Sequence, residues 1–272
     1  MLHLPSPDST LLLLIRHGAT DCNTSKPPRL QGRGINFGLS ADGRRQAEAT
    51  ARFLRDWRLD RIYSSPLKRA WETAEIIAQP QERTVEAVEQ LVEVDVGRWE
   101  NCSWDEIARN DAEAYARFLE DCGTHGYAGG ENMRQVQERV TPALTSLLQE
   151  NLGKRIAVVC HSVANRAYLA GLLQLPLAHC RELAQDNCGI NVILYRNGEA
   201  ELRTLNSVFH LEGPRGKGAK GLREIRPGEN AAFLPWPLCP FCLYALPCHF
   251  PTNPSRTMKC CVRSATSWSP GS

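Results

Sequence analysis

Two histidines, each directly after an apolar run, are the residues best suited to chemistry in this chain. Arg16 and His17 follow the run 11–15, and His161 follows the run 156–160. A neutral imidazole is a nucleophile, a guanidinium binds phosphoryl oxygens, and the glycine after His17 leaves backbone N–H groups accessible. These residue types favour phosphoryl chemistry, although a single Arg-His pair is more often surface charge or a structural histidine.

Both apolar runs are predicted to be buried parallel strands, because they are short, continuous and end abruptly in polar residues. Ligands of open α/β sheets bind just outside the carboxyl ends of the strands. Neighbouring parallel strands lie about 4.8 Å apart, so histidines that end adjacent strands can face one small anion. A third predicted strand, 61–64, precedes a helix whose first turn carries Arg69, a further cation for that anion.

The segments between these strands have the pattern of amphipathic helices. Ser40 is a predicted N-cap for a helix with Ala47, Phe53 and Leu54 on its apolar side. Pro66 is predicted to start a second helix that runs to about residue 78. Helices between strands imply right-handed crossovers and a mainly parallel sheet that is covered on both faces.

The fold class predicted from this alternation is α/β, a three-layer α/β/α sandwich. A small helical insertion at about 99–130 is expected over the ligand edge of the sheet, and an Asn197-Gly198 turn predicts a late hairpin. The domain is expected to span 11–212, after a lead-in of residues 1–10.

Composition narrows the class of partner. The 272 residues carry 32 Lys/Arg and 30 Asp/Glu, and this net charge of +2 gives no support for a nucleic-acid or membrane partner. No stretch approaches the roughly 20 apolar residues of a membrane span, and the first ten residues lack the features of a signal peptide. We therefore expect a cytoplasmic protein, and a homodimer is left open.

The chain ends in a different kind of sequence. From residue 212 onward there are eight Lys/Arg against three Asp/Glu, with nine of the 17 prolines and five of the 11 cysteines. We expect 213–272 to be a basic tail that is disordered or loosely packed. Its Cys239 and Cys242 form a single C-x-x-C with irregular partners, which is weak support for zinc. No metal or other cofactor is predicted.

Five motif segments lie in order along residues 10–211. They are LIRHGATDCN at 14–23, LQGRGINFGLSADGRRQA at 30–47, IYSSPLKRAWETAEII at 62–77, LVEVDVGRWEN at 91–101 and VVCHSVANRA at 158–167. In order and spacing they resemble the histidine phosphatase superfamily, also called the phosphoglycerate mutase-like family. The segment around the fourth motif resembles the phosphatase branch. The resemblance implies a metal-independent phosphatase.

The resemblance also implies a role for each matching side chain. His17 would be the nucleophile that forms a phosphohistidine, while Arg16 and Arg69 would hold the non-bridging oxygens. His161 would add a further donor. Glu93 would protonate the leaving group and then act as base for the attacking water.

Weaker assignments surround this group. Three residues resemble family positions near the entrance of the phosphate-binding site, namely Asn23, Gln31 and Gly32. Asn23 also suits a structural turn. Ser162 is a departure, because glycine or asparagine is commoner at that position in the family.

Both the acid and the reaction have alternatives. Asp95 is the nearest rival to Glu93, because alternate residues of an extended segment share a face, and Glu100 is a weaker candidate. The implied substrate is a small phosphorylated metabolite that the sequence does not identify. A phosphoglycerate mutase would instead return the phosphoryl group to its product, and a non-catalytic phosphoester-binding module would have lost one of the core residues, all of which are present.

Overall fold

A six-stranded sheet built around strand β1 organises the computed structural model, which describes residues 5–211. The strands are β1 (Ser9–Arg16), β2 (Arg61–Ser64), β3 (Val85–Ala87), β4 (Arg155–Cys160), β5 (Ile190–Arg196) and β6 (Glu199–Ser207). They lie in the order β3-β2-β4-β1-β5-β6. Pairing is parallel among β1 to β4, whereas β5 runs antiparallel to both of its neighbours, which confirms the mainly parallel sheet. The predicted tail at 213–272, with its C-x-x-C, lies outside the described residues.

Helices cover both faces of this sheet. They are α1 (Asp21–Thr24), α2 (Ala41–Leu54), α3 (Lys68–Ala78), α4 (Trp104–Asn110), α5 (Ala112–Glu120), α6 (Met133–Glu150) and α7 (Ser162–Leu172). Short 3-10 helices occupy Arg55–Trp57, Gln79–Gln81, Glu89–Leu91, Gly97–Trp99, Leu177–Glu182 and Phe209–Leu211. Within the described part of the chain, no helix is long and apolar enough to cross a membrane.

Strand β1 contributes alternate side chains to two separate cores. Leu11, Leu13 and Ile15 pack with residues of α2 and α3, whereas Leu12 and Leu14 pack with residues of α6 and α7. Successive side chains of a strand point to opposite faces, so an all-apolar strand must be covered on both sides. The three-layer α/β/α arrangement is therefore confirmed.

The start of α2 follows the prediction, but one side of the helix does not. Ser40 caps the helix, since the Gly43 N–H donates to its Oγ at 3.1 Å. Ala47 and Leu54 are buried as predicted, whereas Phe53 is 46% exposed, and its placement on the apolar side was wrong. The sheet-facing stripe runs along positions spaced by three and four residues, and Phe53 lies next to that stripe instead of on it. Its ring stacks on His210, with centroids 5.2 Å apart.

Two glycines allow α2 to pack directly against the segment that follows β1. A Cβ on Gly18 would lie 2.5 Å from the Gly43 carbonyl oxygen, and a Cβ on Gly43 would overlap the Ala19 backbone. The Ser40 backbone N–H also donates to the Ala19 oxygen at 3.0 Å. The chain that carries the first histidine is thus held by the N-terminus of a helix.

The predicted insertion contains α4 and α5 and packs around an aromatic cluster. Trp99 is fully buried and makes edge-on contacts with the rings of Trp104, Phe118 and Tyr127. Backbone hydrogen bonds connect the base of the insertion to the segment after Glu93. The Glu131 N–H donates to the Asp95 oxygen, and the Arg98 N–H donates to the Ala128 oxygen.

Candidate active site

The two histidines lie side by side at the carboxyl edge of the sheet. β1 and β4 are paired with Arg16 opposite Cys160, so the next residue of each strand is a histidine. The rings of His17 and His161 have centroids 5.2 Å apart, and both side chains are buried. The adjacency expected from two strands that end in histidine is therefore confirmed.

A backbone carbonyl fixes the tautomer of His17. Its Nδ1 lies 2.7 Å from the Gly18 oxygen, and because a carbonyl only accepts, Nδ1 carries the hydrogen. Nε2 then keeps its lone pair. Burial, with the charges of Arg69 and Arg16, holds the pKa of His17 well below its ordinary value of 6.5, so the ring is neutral near pH 7.

Two arginines from different elements converge on this edge. Arg16 donates from Nη1 to the Gln185 oxygen at 2.6 Å, while Arg69 donates from its two terminal nitrogens to the oxygens of Ile35 and Gly32, each at 3.0 Å. Burial lowers the pKa of Arg16 to about 10, which leaves the guanidinium charged at neutral pH.

Three buried nitrogens at the site have no partner among the described residues. They are Nε of Arg16, Nε of Arg69 and Nδ1 of His161. A buried donor without an acceptor costs about 1–3 kcal/mol. The cluster therefore holds unused hydrogen-bonding capacity that an anion of several oxygens can satisfy.

Ser65 positions His161 and was missed by the sequence reasoning. Its Oγ lies 2.8 Å from Nε2 of His161, and the residue directly follows β2. Burial and the nearby charge of Arg69 lower the pKa of His161 well below its ordinary value. A serine in a Ser-Ser-Pro segment carries no signal of this contact, because the contact depends on the pairing of β2 with β4.

Glu93 is buried at the N-terminus of α7. Its Oε1 accepts hydrogen bonds from the N–H groups of Val94 at 3.0 Å and Ala164 at 3.2 Å, and its Oε2 accepts from Val163 at 3.2 Å. Because the N-cap of this helix is His161, the carboxylate lies beside the histidine pair.

The two rival acids have other partners. Asp95 accepts from Nη2 of Arg33 at 2.7 Å and from the Gly97 N–H at 2.9 Å. Glu100 accepts from the N–H groups of Gly32 at 2.6 Å and Gly34 at 3.1 Å. Both carboxylates therefore organise loops, whereas Glu93 lies at the N-terminus of α7 beside His161, and its role as the acid stays a prediction.

The weaker candidates line the same edge, but their polar atoms contact protein. Oδ1 of Asn23 accepts from the Thr20 N–H at 3.1 Å, and Oε1 of Gln31 accepts from the Thr20 hydroxyl at 2.7 Å. The carbonyl of Gly32 accepts a hydrogen bond from Arg69. Their roles as phosphate ligands stay predictions.

Asn187 is a second residue that the sequence did not single out. Its Nδ2 donates to the His17 oxygen at 3.0 Å and to Oδ1 of Asn23 at 3.3 Å. It thereby ties the turn before β5 to the segment after β1. Within residues 5–211, no group of three or more His, Cys, Asp or Glu side chains is arranged to hold a metal ion.

Comparison with known proteins decides the family. The sequence model of the histidine phosphatase superfamily (branch 1) matches residues 12–208. The chain belongs to this superfamily. As a histidine phosphatase it is an enzyme that hydrolyses phosphoesters, and the resemblance seen in the five motifs is confirmed.

Relatives of this histidine phosphatase carry more than one activity in their names. Phosphoserine phosphatase 1 of Hydrogenobacter thermophilus is 31% identical over 200 residues, covering 74% of this chain and 93% of that protein. A probable phosphoglycerate mutase of Salmonella choleraesuis is 32% identical over 207 residues, covering 74% of this chain and 94% of that protein. A phosphoserine phosphatase from Entamoeba histolytica, solved with 3-phosphoglyceric acid, superposes with a TM-score of 0.67 at 30% identity, covering 75% of this chain and all of that one.

Proposed function

We propose that this histidine phosphatase hydrolyses a small phosphorylated metabolite through a phosphohistidine on His17, without a metal ion. The observation that carries the proposal is the 2.7 Å contact between Nδ1 of His17 and the Gly18 oxygen. It leaves Nε2 as the free nucleophilic atom of a ring whose lowered pKa keeps it neutral.

In the first step, Nε2 of His17 attacks phosphorus and a P–N bond forms as the bond to the leaving oxygen breaks. Glu93 gives its proton to that oxygen, so the product leaves as a neutral alcohol. Arg16 and Arg69 compensate the charge on the non-bridging oxygens, which is where charge resides in a phosphoryl-transfer transition state. The Nε atoms of both arginines, which have no hydrogen-bond partner in the described part of the chain, support this role.

In the second step, water replaces the alcohol. Glu93, now a carboxylate, takes a proton from the water while its oxygen attacks phosphorus and the P–N bond breaks. Inorganic phosphate leaves, His17 returns to its neutral form, and Glu93 has regained its proton. His161 donates to the phosphoryl oxygens in both steps, and its burial among arginines suits an anion.

The named relatives support a small metabolite as substrate. The Entamoeba histolytica enzyme is described with 3-phosphoglyceric acid and, as a mutant, with phosphoserine. We propose a substrate of similar size and no nucleic-acid or membrane partner. The cytoplasmic location and the domain limits of 11–212 stay predictions, and formation of a homodimer stays an open alternative.

A phosphate-release assay tests the proposal on a panel of small phosphomonoesters, with a chelator present throughout. We expect release by the wild type and its loss in His17→Ala, whereas His125→Ala, which removes an exposed histidine, keeps the activity. Full activity of His17→Ala would refute the nucleophile, and loss of activity with chelator would refute metal independence.

Phosphoryl transfer of the mutase type is the second candidate, because several relatives are named as probable phosphoglycerate mutases. Incubation with 3-phosphoglycerate separates the two reactions. A hydrolase releases inorganic phosphate, whereas a mutase forms 2-phosphoglycerate and releases little.

A further inference from the structure

Arg166 is a half-buried cation near the site that the proposed reaction does not use. It lies on α7, and its Nε donates to the Leu183 oxygen at 2.8 Å while Nη1 donates to Oγ of Ser162, also at 2.8 Å. Among the described residues it makes no ion pair with an acidic side chain. Within residues 5–211 the guanidinium thus has no acidic partner, and its terminal nitrogen Nη2 makes no hydrogen bond.

The side chain of Arg166 reaches back to the end of α7 that faces the histidines. Ser162, which accepts its hydrogen bond, is the first residue of the helix and directly follows His161. The next two residues of the same turn hold Glu93 through their N–H groups. The charge of Arg166 is therefore brought to the helix end where the acid and one histidine already lie.

Arg166 also lies next to the phosphate-binding Arg16. The two guanidiniums bind the carbonyls of Leu183 and Gln185, which are two residues apart in the chain. Two residues of chain span at most about 7 Å, so the two guanidiniums bind carbonyls that lie close together on one segment. The charge of Arg166 contributes to the lowered pKa of Arg16, which is consistent with this proximity.

We propose that Arg166 binds a carboxylate that the substrate carries beside its phosphate. The inference rests on the proposed function and narrows its substrate to phosphorylated hydroxy or amino acids. A guanidinium matches a carboxylate in shape and charge, and this one is fixed by two hydrogen bonds before the ligand arrives. Arg16 and Arg69 take the phosphoryl group, and Arg166 takes the second anionic group at the same carboxyl edge of the sheet.

The test compares substrates that differ only at the carboxylate. O-phosphoserine is paired with O-phosphoethanolamine, and 3-phosphoglycerate with glycerol 3-phosphate. We expect the wild type to have the higher kcat/KM for the acid of at least one pair. In Arg166→Gln, kcat/KM for that acid falls about 10- to 100-fold, the range of a lost hydrogen bond to a charged group, and falls less than about threefold for its partner.

Two further variants keep the test interpretable. Arg181→Gln removes a nearby cation that lies over the rings of Trp104 and Phe118, and it should change both members of a pair by less than about threefold. Arg166→Lys keeps the charge but loses the planar guanidinium that can bind both carboxylate oxygens. We therefore expect a smaller loss of kcat/KM, confined to the substrate that carries the carboxylate. Thermal unfolding of each variant shows whether it is folded. If Arg166→Gln is unfolded, the kcat/KM values of Arg166→Lys for the two members of a pair test the proposal instead.

Equal losses of kcat/KM for both members of a pair would show that Arg166 only holds the Leu183 carbonyl in place, and this would refute the inference. A wild type that shows no preference for either acid would also overturn it, while leaving the phosphatase proposal intact. Absence of phosphate release from every ester would refute the proposed function itself.

Discussion

Acid destabilisation of the fold is a direct consequence of burying two neutral histidines. Burial and neighbouring arginines hold the pKa values of His17 and His161 well below 6.5. Between pH 7.5 and 5.5 the unfolded chain therefore takes up protons that the folded chain does not. The folding stability from these groups is fully present above pH 6.5 and is lost as the pH falls below it.

The size of the effect follows from the number of groups. For a histidine with an unfolded pKa of 6.5, this pH interval changes the free energy of unfolding by about 1.4 kcal/mol, so the pair contributes about 2.7 kcal/mol. The variant His161→Gln keeps a side chain that can bond Ser65 but does not titrate. We expect it to lose about 1.4 kcal/mol less than the wild type on acidification.

Urea unfolding at pH 7.5 and 5.5 measures this difference. Any loss of stability common to both pH values cancels, and carboxylates and His210 contribute equally to both proteins. His125→Gln removes an exposed histidine and should keep the wild-type pH dependence. If His161→Gln and the wild type lose the same free energy on acidification, His161 is not buried in its neutral form and the reasoning fails.

Two further substitutions test how the site is held in place. Gly43→Ala places a methyl group on the Ala19 backbone, so the free energy of unfolding should fall by about 1–3 kcal/mol or more, and an unchanged urea midpoint would contradict the close approach. Ser65→Ala removes the hydroxyl bonded to His161, so kcat should fall about 3- to 10-fold, as for a neutral hydrogen bond of about 0.5–1.5 kcal/mol. Ser65→Thr keeps a hydroxyl and should restore most of kcat, whereas a kcat unaffected by Ser65→Ala would show that the contact does not position the ring.

The parts of the fold that the sequence predicts are those set by local pattern. The run 11–15 is apolar at every position, which only a strand covered on both faces accommodates, and the Ser40 cap follows from the preference of its side chain for a helix start. The Asn197-Gly198 turn joins β5 and β6 as an antiparallel hairpin, as predicted. Boundaries were less accurate, since α3 begins at Lys68 and not at Pro66.

The contacts that complete the site depend on distant parts of the chain. Ser65 meets His161 across 96 residues, and Asn187 meets His17 across 170. Serine and asparagine near turns are common, and nothing in their own neighbourhoods marks these two. Motif resemblance supplied candidates for His17 and Glu93 because the chemistry requires those residue types, but it says little about the residues that hold them in position.

Arg69 joins the site to the loop in front of it. Its terminal nitrogens hold the carbonyls of Gly32 and Ile35, while its Nε has no partner among residues 5–211. Under the proposed function, the loop and the phosphoryl group share one side chain, and their binding free energies are coupled in both directions. An anion that fixes the guanidinium orders the loop, and a loop that is already ordered raises the affinity for the anion. Lysine, with a single nitrogen, preserves the charge at this position but breaks that coupling.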